Sequence, residues 1–163
     1  MIVVALGANL DSQAGRPRET LLAALEALKR KSVRILALSP FYRTRAWPDP
    51  SDPDYVNAVA SVATERGPRE LMELLEQTET LFGRKRSERN APRTLDLDLI
   101  DYDGRVEQGP PILPHPRMRE RGFVLVPLSD IAPAWRHPVG GESVQQLIES
   151  LPDAREGMET LNR

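Results

Sequence analysis

Arg93-Thr94-Leu95-Asp96-Leu97-Asp98-Leu99 alternates apolar and acidic residues over the length of one strand. Side chains two apart share a strand face, so Leu95, Leu97 and Leu99 turn into a core while Asp96 and Asp98 face away. The two carboxylates then stand about 6.5–7 Å apart along the strand. A cation between or beside them relieves their repulsion, and an Asp-x-Asp pair can bridge magnesium ions that clamp phosphate oxygens. A half-exposed strand with acidic outward positions has the same pattern, so the pair alone leaves both readings open.

Working outward, Arg84, Lys85, Arg86, Arg89 and Arg93 crowd the connection just upstream. Guanidinium groups grip phosphate bidentately and neutralise charge that develops during transfer. Arg84, Arg86 and Arg93 therefore tilt the acidic pair towards a metal-bound polyphosphate, although each alone would pass for a solvated surface cation. Gly83 gives that connection a hinge point. No Gly-x-x-x-x-Gly-Lys-Ser/Thr loop occurs anywhere, which excludes an ordinary P-loop kinase.

The remaining elements fall around this strand. Residues 2–7 form an aliphatic strand ending at the turn Gly7-Ala8-Asn9. Leu21, Leu22, Leu25 and Leu28 recur at helical spacing from Pro17 to Lys31, and proline suits a helix start. Val33 to Ser39 predicts a second strand continuing towards Tyr42, and Tyr55 to Thr64 a third beyond the proline loop 44–54. Gly67-Pro68 opens a second helix whose stripe is Leu71, Leu74, Leu75, Thr78 and Phe82. The fourth strand, about Arg93 to Tyr102, closes at the hairpin signal Asp103-Gly104. Short helices are expected near Pro127–Ile131 and Val144–Leu151, with a tail that frays after Pro152. The order β-α-β-β-α-β predicts an α+β, ferredoxin-like sandwich: an antiparallel sheet with its helices on one face.

The 163 residues suit a single domain spanning 1–163. With no cysteine and two histidines, a metal must rely on oxygen ligands, which favours magnesium, manganese or calcium. The net charge of −2 argues against a general nucleic-acid binder. No apolar stretch reaches the roughly 20 residues needed to cross a bilayer, and the first residues make a poor signal peptide. The expectation is a cytoplasmic monomer acting on small molecules, with neither nucleic acid nor membrane as partner.

Two further constellations bear on a ligand. His115 lies between Pro114 and Pro116, which hold the local backbone, close to Arg117, Arg119 and Arg121; it can donate to phosphate or serve as a loop residue. Tyr55 and Asn57 share a strand face just after the loop that holds Trp47. With Phe123 they offer aromatic faces and an amide, a set that suits a flat heteroaromatic ligand.

Six ordered pieces carry a resemblance: Leu6 to Leu10, Ser39 to Thr44, Asp54 to Asn57, Glu79 with Gly83-Arg84, Ala91 to Asp98, and Leu113 to Leu128. Over nearly its whole length the chain resembles the 6-hydroxymethyl-7,8-dihydropterin pyrophosphokinases of folate biosynthesis. The resemblance implies transfer of an intact diphosphate from ATP to a pterin alcohol, releasing AMP, with two Mg2+ ions on Asp96 and Asp98. It implies a pterin stacked between Tyr55 and Phe123, its edge bonded by Asn57 and by the chain near Thr44, Arg45 and Trp47. It places Glu79, Arg84, Arg86, Arg93, His115 and Arg121 with the nucleotide and Leu99 against the base. The segment before Pro92 departs from the pattern, with Asn90-Ala91 where relatives carry an aromatic and glycine, and Pro116 replaces a tyrosine of some relatives. Alternatives are a nucleotidyltransferase, which would release pyrophosphate, and a ferredoxin-like binding module for RNA or a small regulator.

Overall fold

The computed structural model describes residues 1–85 and 91–161. Its strands are β1 (Ile2–Ala8), β2 (Arg34–Leu38), β3 (Tyr42–Thr44), β4 (Tyr55–Ala63), β5 (Asp96–Tyr102), β6 (Glu107–Gln108), β7 (Ile112–Leu113) and β8 (Glu159–Thr160). Its helices are α1 (Pro17–Arg30), α2 (Pro68–Leu81), α3 (Gly122–Ile131) and α4 (Val144–Ser150), with a 3-10 turn at Met118–Glu120. The main sheet runs β5-β1-β4-β3-β8, with β2 also on β4, and its pairings are antiparallel.

Local chemistry accounts for the element ends. Pro17 and Pro68 each open a helix at the position where a missing N–H costs nothing. The expected second strand divides into β2 and β3 at Ser39–Phe41. Pro40 brings no donor there, and Ser39 takes its place on β4, its N–H donating to Val59 O and its Oγ accepting from Val59 N–H.

α1 and α2 share one face, as expected. Leu21, Leu25 and Leu28 from α1 and Leu71 and Leu75 from α2 pack on Ile2, Val4, Leu6, Leu97 and Leu99. Each fully buried leucine contributes about 1.5–3 kcal/mol. The opposite face is not bare: Leu125 and Leu128 of α3 and Leu147 and Ile148 of α4 cover Val3, Ala5, Val59 and Ile100. The uninterrupted apolar run of β1 is the reason, because both of its faces must be buried.

Three sequence expectations shift. α3 begins at Gly122, with Pro127 inside it rather than at its start. Asp103 and Gly104 do turn with positive φ, but β6 then pairs with β7, so no hairpin with β5 forms. The tail after Pro152 is pinned: Tyr42 and Arg43 pair with Thr160 and Glu159, and Leu161 N–H donates to Phe41 O at 2.8 Å. Among the described residues no helix is long and apolar enough to cross a membrane.

Candidate active site

β5 delivers the alternation read from its sequence. Leu95, Leu97 and Leu99 are buried, while Asp96 and Asp98 emerge on the far face with side chains 26% and 32% exposed. A bulge against β1 at Val3/Val4 then breaks the alternation. Beyond it, Ile100 joins the α3 side of the sheet and Tyr102 the α1–α2 side.

Three arginines stand on the two carboxylates. Arg84 Nη1 donates to Asp96 Oδ1 at 2.6 Å, Arg93 Nη1 to Asp96 Oδ2 at 3.4 Å, and Arg121 Nη1 to Asp98 Oδ2 at 3.3 Å. Burial and the adjacent Asp96 charge push the Asp98 carboxyl up to about 6, against the pull of Arg121, Arg84 and Arg93. Burial is the larger cause, so a cation held beside Asp98 would favour its charged form. Among the described residues no group of three or more acidic, histidine or cysteine side chains converges on a metal position. Magnesium suits that donor set, since it is commonly held by one or two carboxylates with water and substrate phosphates completing the shell.

Glu79 reaches the same point from α2. Its Oε2 accepts from Arg84 Nη1 at 2.6 Å and from the Leu97 N–H at 2.9 Å, so the end of the helix is tied to the start of β5. Burial, with the Asp96 and Asp98 charges behind it, pushes Glu79 up to about 7 despite those bonds. Burial weakens the hold of Arg84 on its proton, but the Asp96 and Glu79 charges together outweigh it and raise its pKa.

Two adjoining cavities meet at the acidic pair. One, of about 610 Å³, is walled by Glu79, Arg84, Leu99, Pro110, Ile112 and His115. His115 Nδ1 accepts from the Arg117 N–H, and burial with the Arg121 charge pushes the imidazole down to about 4, so it is neutral near pH 7. The other, of about 520 Å³, holds Thr44, Arg45, Trp47, Tyr55, Asn57 and Phe123. Asp96 and Asp98 line both.

The second cavity combines a fixed side-chain amide with aromatic rings at its rim. Asn57 is 6% exposed, and its Nδ2 donates to Thr44 Oγ1 at 2.7 Å, which fixes the amide. Gly7 makes room for it, since a Cβ there would sit 2.7 Å from Asn57 Oδ1. Phe123 and Trp47 remain 38% and 68% exposed at the rim, apolar surface left for a ligand to cover. Arg121 lies over the Phe123 ring, 5.6 Å from its centroid.

The structure thus gathers Glu79, Arg84, Leu99 and His115 in one cavity and the Thr44–Phe123 set in the other. Arg93 and Arg121, expected beside the nucleotide, line the second cavity, drawn there by Asp96 and Asp98. Arg86 lies outside the described residues. Asn9 is a functional candidate that the sequence reading passed over as a turn residue. It is 3% exposed; its N–H donates to Arg93 O, its Oδ1 accepts from the Arg93 N–H at 2.8 Å, and its Nδ2 donates to Pro53 O at 3.1 Å. The signals were its place directly after the first strand and within the Leu6–Leu10 piece of the resemblance.

Residues 3–133 match the 7,8-dihydro-6-hydroxymethylpterin-pyrophosphokinase family. The chain belongs to that family. Among curated pyrophosphokinases, the 2-amino-4-hydroxy-6-hydroxymethyldihydropteridine pyrophosphokinase of Synechocystis sp. is 42% identical over 91% of this chain and 75% of its own. The enzyme of that name from Pseudomonas aeruginosa is 38% identical over 98% of this chain and 96% of its own. The fold matches a crystal structure of an HPPK-DHPS in complex with substrates, with a TM-score of 0.70 at 12% identity over 99% of this chain. Plasmodium falciparum HPPK-DHPS gives a TM-score of 0.67 over 95%. This chain spans less than half the length of those two chains, 46% and 42%. Their likeness shows a shared pyrophosphokinase fold.

Proposed function

We propose that the two cavities divide the family's reaction between them, ATP in the first and the pterin alcohol in the second. The reaction is pyrophosphoryl transfer from ATP to 6-hydroxymethyl-7,8-dihydropterin, a step of folate synthesis. The observation that carries the assignment is that Asp96 and Asp98 line both cavities, where the transferred group must cross.

On this reading Asp96 and Asp98 hold two Mg2+ ions. The metal supplies charge neutralisation and alignment of phosphate oxygens. Glu79 holds Arg84 at the nucleotide side, while His115, Arg86 and Arg121 bind phosphates and Leu99 packs on the base. Tyr55 and Phe123 stack on the pterin and Asn57 reads its edge, with the chain at Thr44, Arg45 and Trp47 bonding the rest. The hydroxymethyl oxygen attacks the β-phosphorus in line. A new O–P bond forms as the bond from the β-phosphorus to the α,β-bridging oxygen breaks, the hydroxyl proton passes to solvent water, and AMP leaves with that oxygen. Arg84 and Arg93 stabilise the charge that spreads towards AMP, so catalysis is positioning and electrostatics with no covalent intermediate. On the same reading the protein is a cytoplasmic monomer whose partners are these small molecules.

An RNA-binding sheet would need an open face with stacking aromatics, whereas α1–α2 and α3–α4 cover both faces here. The test is to incubate protein, ATP, magnesium and 6-hydroxymethyl-7,8-dihydropterin and to identify the products. Pterin-dependent AMP together with pterin diphosphate is expected. Pyrophosphate release with an adenylated pterin, or no pterin-dependent AMP, would overturn the assignment.

A further inference from the structure

We propose that the C-terminal segment Leu151–Met158 is a third wall of the pterin cavity, and that Gly122 is the positioning residue through which this wall sets the stance of Phe123. The proposal rests on the functional reading above. Leu151, Asp153, Ala154, Glu156 and Met158 line the same cavity as Tyr55, Asn57 and Phe123, facing it from outside the sheet and α3.

The segment is fastened at both ends. Leu151 N–H donates to Ile148 O as α4 ends, Ala154 N–H donates to Leu151 O, and β8 then pairs with β3 immediately before Thr44. Ala154 is buried with Val124 and Leu147, and Met158 packs against the same cluster. The strap therefore joins the start of α3 to β3, the strand that leads into the Thr44–Trp47 loop, two other parts of the cavity.

Gly122 is where strap and helix touch. A Cβ at Gly122 would stand 2.1 Å from the Ala154 carbonyl oxygen and 2.8 Å from its C and Cα. All three are backbone atoms, so no side chain can swing aside. Gly122 does not have a left-handed φ, so close approach of two chains is what requires glycine there, not backbone conformation. Its neighbours are Arg121, bonded to Asp98, and Phe123, on whose ring Arg121 lies. A displacement of Gly122 away from Ala154 shifts the Phe123 ring relative to Tyr55 and Asn57, none of which lines the nucleotide cavity, while the hydrogen bond to Asp98 holds the Arg121 guanidinium in place for the phosphates.

The test uses Gly122→Ala and Met158→Ala in the full chain. Binding of fluorescent 6-hydroxymethylpterin is measured in the presence of α,β-methylene-ATP, and binding of that nucleotide alone by calorimetry. For Gly122→Ala we expect roughly tenfold weaker pterin binding, nucleotide affinity within about twofold of wild type, and a rise in pterin KM that exceeds any fall in kcat. Met158→Ala, which keeps the helix contact, should weaken pterin binding by about threefold with nucleotide unchanged. If Gly122→Ala fails to fold, Met158→Ala decides alone. Wild-type pterin affinity in a folded variant, or equal loss of pterin and nucleotide, overturns the proposal while leaving the reaction assignment standing. A wild-type protein that binds no pterin overturns both.

Discussion

Arg84 and Asp96 are joined by a 2.6 Å hydrogen bond from Nη1 to Oδ1, and the same nitrogen reaches Glu79 Oε2 at 2.6 Å. One cation thus serves two carboxylates, so removing a carboxylate here changes charge more than packing. Asp96→Asn and Asp98→Asn should each lower kcat/KM by about 10²–10³, the scale of losing one preorganised electrostatic group. Both variants should melt close to wild type, since the side chains are partly exposed. Steady-state kinetics with melting curves check this, and near-full activity in either variant would remove that residue from the metal site.

Asn9 binds Arg93 through one end of its amide and Pro53 through the other. Asn9→Ala breaks both part-buried hydrogen bonds, each contributing about 0.5–1.5 kcal/mol, so a stability loss of about 1–3 kcal/mol is expected. Asn9→Asp keeps the acceptor for the Arg93 N–H but loses the donor to Pro53. It should therefore raise the KM for pterin, through the Tyr55 side of the loop, more than the KM for ATP. Equal changes in the two constants would count against this division.

His137 lies 6% exposed beneath Arg119 and Glu142, and its Nδ1 accepts from the N–H groups of Val139 and Gly140 at 3.2 and 3.3 Å. Burial, followed by the Arg119 charge, pushes its pKa below the ordinary 6.5. As pH falls through 6.5 the unfolded chain takes up the proton first. Its stabilising effect is therefore complete above about 6.5 and is lost progressively as pH falls through the lower folded value. His115 adds a slope of the same sign between 6.5 and about 4. Urea unfolding at pH 7.5 and 5.5 should show wild type losing more stability than His137→Asn over that interval; an equal loss would mean that His137 takes up its proton over the same pH range in the folded and the unfolded chain.

Gly7 has a narrow tolerance because any Cβ meets Asn57 Oδ1. Gly7→Ala should twist the Asn57 amide off Thr44 and raise the pterin KM by roughly tenfold, with the nucleotide constants little changed. A fixed-ATP kinetic series reads this directly.

The legible parts of this chain are those governed by periodicity. The Leu95–Leu97–Leu99 alternation revealed which way Asp96 and Asp98 face, and the leucine stripes of α1 and α2 revealed the covered side of the sheet. The second helical layer was less plain, although the unbroken β1 run already required two buried faces. Pro127 disguised the start of α3, because a proline reads as a helix opening and only packing by Val124 and Leu125 carries the helix back to Gly122. Contacts between distant backbone segments, such as Gly122 with Ala154 or Asn9 with Arg93 and Pro53, leave no periodic trace. At the site, residue types were readable, but whether Arg93 and Arg121 stand with one cavity or the other depends on the carboxylates they reach.

Because Asp96 and Asp98 are common property of the two cavities, occupancy of either one changes the electrostatic state in which the other receives its guest. The two equilibria then form a closed thermodynamic cycle: any factor by which nucleotide alters the affinity for pterin is the factor by which pterin alters the affinity for nucleotide. A competitor for one cavity will in this way report on the filling of the other, and a ligand that spans the shared wall would gain from both at once.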